Sequence, residues 1–350
     1  MREEFINNIF QEEEISMVQS ASVRHRHHPL KLLLNHETIS NQPNLKKSLT
    51  NTTFAFKQVF NEDQNWLKKI KPRLLNTDDY STASSALGEI RCYGDLLQAS
   101  VKVQPISETN NANTPDFKAH KQGEEVLIEV RTKGYSKEES KRLEEHNQLE
   151  FNCEKNKETR VTPFGRAEKG ENVTENAISK IAQIKQSEEQ FSEDKPSILW
   201  INFQGELWQF GPNKNSIFPV RTSEGKLYSG EVWYAFYGYE GAPIFRGENN
   251  KEGAVQNLIH MKHKGRFRND SCIDAVVISS PLTTMVAENI STQAPIPPWF
   301  WSKLIHVPQF KIEYSRLNWP SENLRKIIEI DKKLIKSFEK KISGNGNQTS

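Results

Sequence analysis

Apolar residues recur at helical spacing through the first hundred positions and then contract into short alternating or continuous runs. Phe56, Val59, Phe60, Leu67 and Ile70 predict helix over residues 54–75, and the polar stretch Asn76 to Asp79 predicts a break and a boundary. Leu87, Ile90, Tyr93, Leu96 and Leu97 predict a second helix opening at a Ser84 or Ser85 cap. Val101 to Val103 reads as a short strand. Asp116 to His120 and Val126 to Val130 read as a hairpin closed by the turn Lys121 to Glu124. Pro196 to Phe203 and Ile273 to Ile278 have the continuous apolar character of buried strands, and the aromatic clusters Leu207 to Phe210 and Val232 to Tyr239 alternate as further strands. Residues 135–175 are almost wholly polar and predict an excursion from the core, with helix over 136–150; another helix is expected over 174–190. Pro295 to Trp301 is a rigid aromatic segment, 321–342 predicts a basic amphipathic helix, and 344–350 a disordered tail. The pattern predicts an α/β protein in three parts: an N-terminal helical, basic region (1–76), a core with a polar insertion (77–286), and a C-terminal extension (287–350).

Composition narrows the class. The chain has 350 residues with 47 Lys or Arg, 45 Asp or Glu and a formal net charge of +2, so overall charge names no partner. Local charge says more: Ala21 to Arg73 holds ten basic residues against three acids, and Ala254 to Asn269 holds Lys262, Lys264, Arg266 and Arg268 with no acid. Such patches suit a polyanion, although each alone also reads as an ordinary solvated face. His25, His27 and His28 are interleaved with Arg24 and Arg26, which repel a cation, so a basic arm is expected there rather than a metal site. Three cysteines without CxxC spacing argue against a disulfide framework or a thiolate zinc site. An acidic N-terminus and the absence of a long apolar run lead to the expectation of a cytoplasmic protein with no membrane contact. No GxxxxGK[ST] loop is present.

The candidate chemistry lies in acids. The hairpin brings Asp116, after Pro115, and Glu129 towards one edge, and two carboxylates invite a hard divalent cation that takes oxygen ligands. Strand alternation places Glu129, Arg131 and Lys133 on one face with Val130 turned into the core, so cations stand beside the acid where a phosphate would lie. Glu89 sits in the preceding helix beside Leu87 and Ile90, towards the buried side, where a carboxylate needs a counter-charge. Lys180 and Gln183, at i and i+3 of the downstream helix, can approach the same place. Each has a plainer reading: Glu89 as a surface acid beside Arg91, Asp116 as a turn residue, Arg131 and Lys133 as a solubilised strand end.

Glu89 in the helix LGEIRCYGDLL, Pro115-Asp116-Phe117, Ile128-Glu129-Val130-Arg131 and the helix and strand around Lys180, Gln183 and Pro196 to Phe203 together resemble the PD-(D/E)XK nuclease superfamily. The resemblance covers about a third of the chain. It implies a restriction-endonuclease-like core, a central mixed β-sheet flanked by helices, and Mg²⁺ (or Mn²⁺) held by Glu89, Asp116 and Glu129. It also implies cleavage of DNA, most naturally double-stranded DNA in bacterial restriction or antiviral defence, with a homodimer or a defence-system partner protein. Lys180, Gln183, Lys262, Lys264, Arg266 and Arg268 are the expected nucleic-acid contacts. Where the family has a catalytic lysine two residues after the Glu, this chain has Arg131, whose guanidinium does not carry protons near neutral pH. Lys133 or Lys180 would then stand in for it. The alternative is a catalytically silent fold that binds nucleic acid or assembles a complex, and a third reading is an interaction protein using Trp299 to Trp301.

Overall fold

The computed structural model describes residues 4–23, 26–34, 43–107, 114–133, 191, 194–203, 221–223, 226–228, 231–244, 246–249, 259–260, 264–268, 272–279, 284–289, 292, 294–307, 310–311 and the single positions 326, 329 and 333. The polar insertion at 135–175, the helix expected over 174–190, the strand at 207–210, nearly all of 321–342 and the tail at 344–350 lie outside the described residues.

Among the described residues, five helices precede the second predicted one: α1 (Glu4–Ile9), α2 (Glu12–Ser20), α3 (Lys31–Leu34), α4 (Pro43–Glu62) and α5 (Gln64–Leu74). The predicted 54–75 helix is thus two, separated at Asp63, whose carboxylate accepts the Trp66 amide at 2.9 Å and caps α5. The break at Asn76 to Asp79 is built by side chains. Asn76 Oδ1 accepts the amides of Asp78 and Asp79, and Asp79 in turn accepts from the Ser81 amide and the Thr82 hydroxyl. α6 (Tyr80–Gln98) therefore begins five residues earlier than a serine cap at Ser84 would start it. The acid wins because it satisfies two donors of the first turn at once.

The central sheet has seven strands: β1 (Val103–Pro105), β2 (Phe117–Lys121), β3 (Glu124–Lys133), β4 (Ser197–Phe203), β5 (Ala275–Ser279), β6 (Thr284–Glu288) and β7 (Phe310–Lys311). Their spatial order follows the chain, β7-β6-β5-β4-β3-β2-β1. β1 to β3 form an antiparallel meander, β3, β4 and β5 run parallel, and β6 returns antiparallel with β7 parallel beside it. The sheet is mixed, as expected, with helices against it. The β2–β3 hairpin closes through Gln122 and Gly123, both at positive φ (51° and 90°), which matches the right-handed twist of the flanking strands. Every residue of β5 and β6 is buried, as are Ser197 to Asn202 of β4, which explains their near-continuous apolar sequence.

One buried cluster runs from Ile6 through Phe56, Leu74, Ile90, Phe117 and Trp200 to Trp301 and Val307. At about 1.5–3 kcal/mol for each large apolar side chain removed from water, this cluster ties the N-terminal helices to the sheet. α6 lies between them: Gly94 meets the main chain of Ala55 on α4, while Gly88 meets Thr132 and Asn202 on the sheet. The aromatic run expected as strand at 232–239 is instead helix α7 (Glu231–Tyr237), followed by helix α8 (Pro298–Leu304). Trp233 to Tyr237 are buried in succession, so no solvent face imposes period two, and Trp233 and Tyr237 meet at 4.5 Å one turn apart. Among the described residues, no helix is long and apolar enough to cross a membrane.

Candidate active site

The hairpin register fixes the first pair of acids. Phe117 pairs with Ile128, so one step further Asp116 stands opposite Glu129. Asp116 Oδ2 accepts the Val130 amide at 2.7 Å, and the Glu129 carboxyl stands close enough to Asp116 for the two to influence each other's charge. α6, packed over β3, supplies Glu89 from its buried side. Glu129 and Val130 are both buried, so β3 is covered on both faces here rather than on one.

Each glutamate has a guanidinium. Arg73, near the C-terminal end of α5, grips Glu89 with two bonds of 3.0 and 2.7 Å, a bidentate fork. Arg131 reaches back two residues to Glu129 at 2.8 Å. The arginines are 45% and 44% exposed whereas the Glu89 and Glu129 side chains are 12% and 4% exposed, so the acids are fixed and the arginines approach from the open side. Burial pushes the Asp116 carboxyl above its ordinary value. The Val130 amide, the Arg131 and Arg73 guanidiniums and the neighbouring Glu129 oppose that shift. Two neighbouring carboxyls repel one another when both are ionised, and either a shared proton or a cation relieves this.

A cavity of about 690 Å³ opens beside this cluster, lined by α5, the end of β1, the segment leading into β2, and α6. Glu89 and Asp116 both face it, with Trp66, Lys69 and Arg73 from α5 and Thr114 ahead of β2. Glu129 lies behind Asp116 and is not among the lining residues. Trp66 is half-buried and held against Tyr93 (5.1 Å, edge-on) and Phe117 (5.7 Å), which meet each other at 5.3 Å. Burial, with Asp63 and Glu62 nearby, pushes the Tyr93 phenol up to about 12, so it stays neutral in this wall.

Among the described residues, no three His, Cys, Asp or Glu side chains converge as a ready metal cage. The donor types nevertheless fit a hard cation: Asp116 and Glu129 offer oxygen only, and Glu89 is a third carboxylate, held here by Arg73.

The other expected contacts divide. Lys133 ends β3, its side chain outside the description, and Lys180, Gln183 and Lys262 lie outside the described residues. Lys264 and Arg268 are exposed, the latter donating Nε to the Tyr237 carbonyl at 2.9 Å. Arg266, expected at a phosphate-contacting surface, is instead buried in a 3-10 turn with Phe267, which stacks on Phe236 at 5.4 Å; burial pushes its guanidinium down to about 10. Sequence reading missed Trp66, Lys69 and Arg73 as site residues. Their spacing, i, i+3 and i+7 on one helix, was the available signal. Compared with known proteins, the chain matches no family model, no curated protein and no solved structure.

Proposed function

We propose that this chain is a metal-dependent nuclease that hydrolyses phosphodiester bonds, with DNA as its expected substrate and with Glu89, Asp116 and Glu129 as its acids. The observation that carries the reading is the convergence of Glu89 from a helix and Asp116 from a hairpin on one cavity, with Glu129 opposite Asp116 in the hairpin. A buried acid cluster that retains its charge near neutral pH needs a cation, and a polyanionic substrate needs one more. Mg²⁺ or Mn²⁺ held by these carboxylates would supply the charge that polarises a phosphoryl oxygen and acidifies a bound water. The chain's own residues do the rest. The Val130 amide holds Asp116 in place, Arg131 stands beside Glu129 with its outer side open to a phosphate oxygen, and Arg73 exchanges Glu89 for substrate.

The arginine on each glutamate also favours a second reading, a silent nuclease-like fold that binds nucleic acid or joins a defence assembly without cutting. Incubation with linear and supercoiled DNA in Mg²⁺, Mn²⁺ or EDTA separates the two. The nuclease reading expects metal-dependent cleavage, lost in Asp116→Ala and Glu129→Ala. Intact DNA under every metal, with retained binding, selects the silent fold.

A further inference from the structure

We propose that the cavity beside the acids is a seat for one unpaired nucleotide of a single-stranded or frayed nucleic acid, with its base against Trp66 and its phosphate between Lys69 and Arg73. This rests on the nuclease reading above and narrows its substrate from a continuous duplex to a strand with an unstacked base.

Four observations converge. Trp66, Lys69 and Arg73 succeed one another along α5, and all three line the cavity, an aromatic plate followed by two cations leading to Glu89 and Asp116. Base-on-aromatic stacking is sequence-tolerant, and a ring already fixed by Tyr93 and Phe117 loses little freedom on binding. Lys69 is exposed and makes no ion pair among the described residues. The Thr114 hydroxyl, also in the lining, is buried with no hydrogen-bond partner among the described residues. The wall thus sets a hydroxyl-bearing residue beside the aromatic plate and the two cations.

Size and charge set the class of ligand. A volume of about 690 Å³ falls in the range of roughly 300–1,000 Å³ that encloses a single small molecule. A duplex, whose major groove alone is about 12 Å wide, would have to present one nucleotide turned out of its stack. Among the described lining residues, Lys69 and Arg73 stand with Asp63, Glu89 and Asp116, so cations and acids share this wall and a phosphate would bring a cation with it.

The test is fluorescence anisotropy of the full chain in Ca²⁺, a cation with the same preference for oxygen. The probes are a short fluorescein-labelled oligothymidylate and the same strand annealed to oligodeoxyadenylate. The single strand is expected to bind at least about tenfold more tightly than the duplex. Trp66→Leu and Lys69→Glu should each weaken the single strand by about tenfold, while Trp66→Phe retains most of the binding. Lys69→Glu lies on an exposed helix face and keeps the test valid if Trp66→Leu disturbs packing against Tyr93. Equal or tighter duplex binding, or Lys69→Glu and Trp66→Leu both matching wild type, overturns the seat. Metal-dependent cleavage and its loss in Asp116→Ala are read separately. Cleavage without strand preference overturns only the seat, whereas strand preference without cleavage overturns the nuclease and leaves the seat standing.

Discussion

Gly94 on α6 lets two helices touch through their main chains, and Gly94→Ala tests how much of the site's frame depends on that contact. A Cβ at this position would lie 2.5 Å from both the Cα and the carbonyl oxygen of Ala55 and 2.6 Å from its Cβ. Ordinary contact needs roughly 3.4 Å or more, so α4 and α6 must separate by about 1 Å, and no side-chain rotation relieves a clash with backbone. Overpacking of this kind costs about 1–3 kcal/mol, and a main-chain obstacle belongs at the upper end. Alanine's better helix propensity returns up to about 1 kcal/mol, leaving a net loss of about 1–2 kcal/mol. With a urea slope of about 3 kcal/mol/M, the unfolding midpoint followed by tryptophan fluorescence should fall by roughly 0.3–0.7 M. Because α5 also packs on α6, the Arg73–Glu89 fork should loosen with it. A variant as stable as wild type or more so would refute the close-packed crossing and with it the rigid placement of Glu89.

Arg73→Ala should destabilise the metal-free protein by only about 1 kcal/mol, because the guanidinium is half exposed. By freeing Glu89 it should enlarge the rise in melting temperature produced by Mg²⁺; an unchanged Mg²⁺ response would contradict a role for Glu89 as a ligand. His28 is buried, its Nδ1 accepting the Leu30 amide at 3.2 Å, which leaves the ring proton on Nε2 for the Asn76 carbonyl at 3.1 Å. Burial lowers its pKa from the ordinary 6.5, against the raising effect of the Asn76 bond. The folded protein thus binds fewer protons than the unfolded chain, so stability is full above about 6.5 and falls as pH drops below it towards the folded value. His28→Gln should flatten the melting temperature between about pH 7 and 5; curves parallel to wild type would contradict the neutral, buried ring.

The elements legible in the sequence are those whose signal is local. The β2–β3 hairpin shows through alternation and its Gln-Gly turn, and β4 through an unbroken apolar run. The start of α6 was misplaced because Ser84 and Ser85 resembled caps while the side chain that caps is Asp79. The stretch expected as strand at 232–239 failed for a different reason: residues buried on every side carry no periodicity to read. At the site, Glu89, Asp116 and Glu129 stood out as acids among apolar neighbours. The Arg73–Glu89 fork and the cavity wall of α5 did not, since they depend on how α5 crosses α6, which no residue of either helix states alone. Arg266 looked like its neighbours Lys264 and Arg268 but is turned inward with Phe267.

The strand order has a consequence for how the molecule is made. Because the sheet follows the chain, every described residue lining the cavity lies between Asp63 and Phe117, and the β2–β3 hairpin that braces Asp116 ends at Lys133. The next partner, β4, begins at Ser197, after about sixty intervening residues. Contacts close in sequence form fast, and those across long separations form late. During synthesis the described lining residues and the hairpin that braces Asp116 therefore emerge before β4, whose Trp200 and Asn202 then complete the packing under α6.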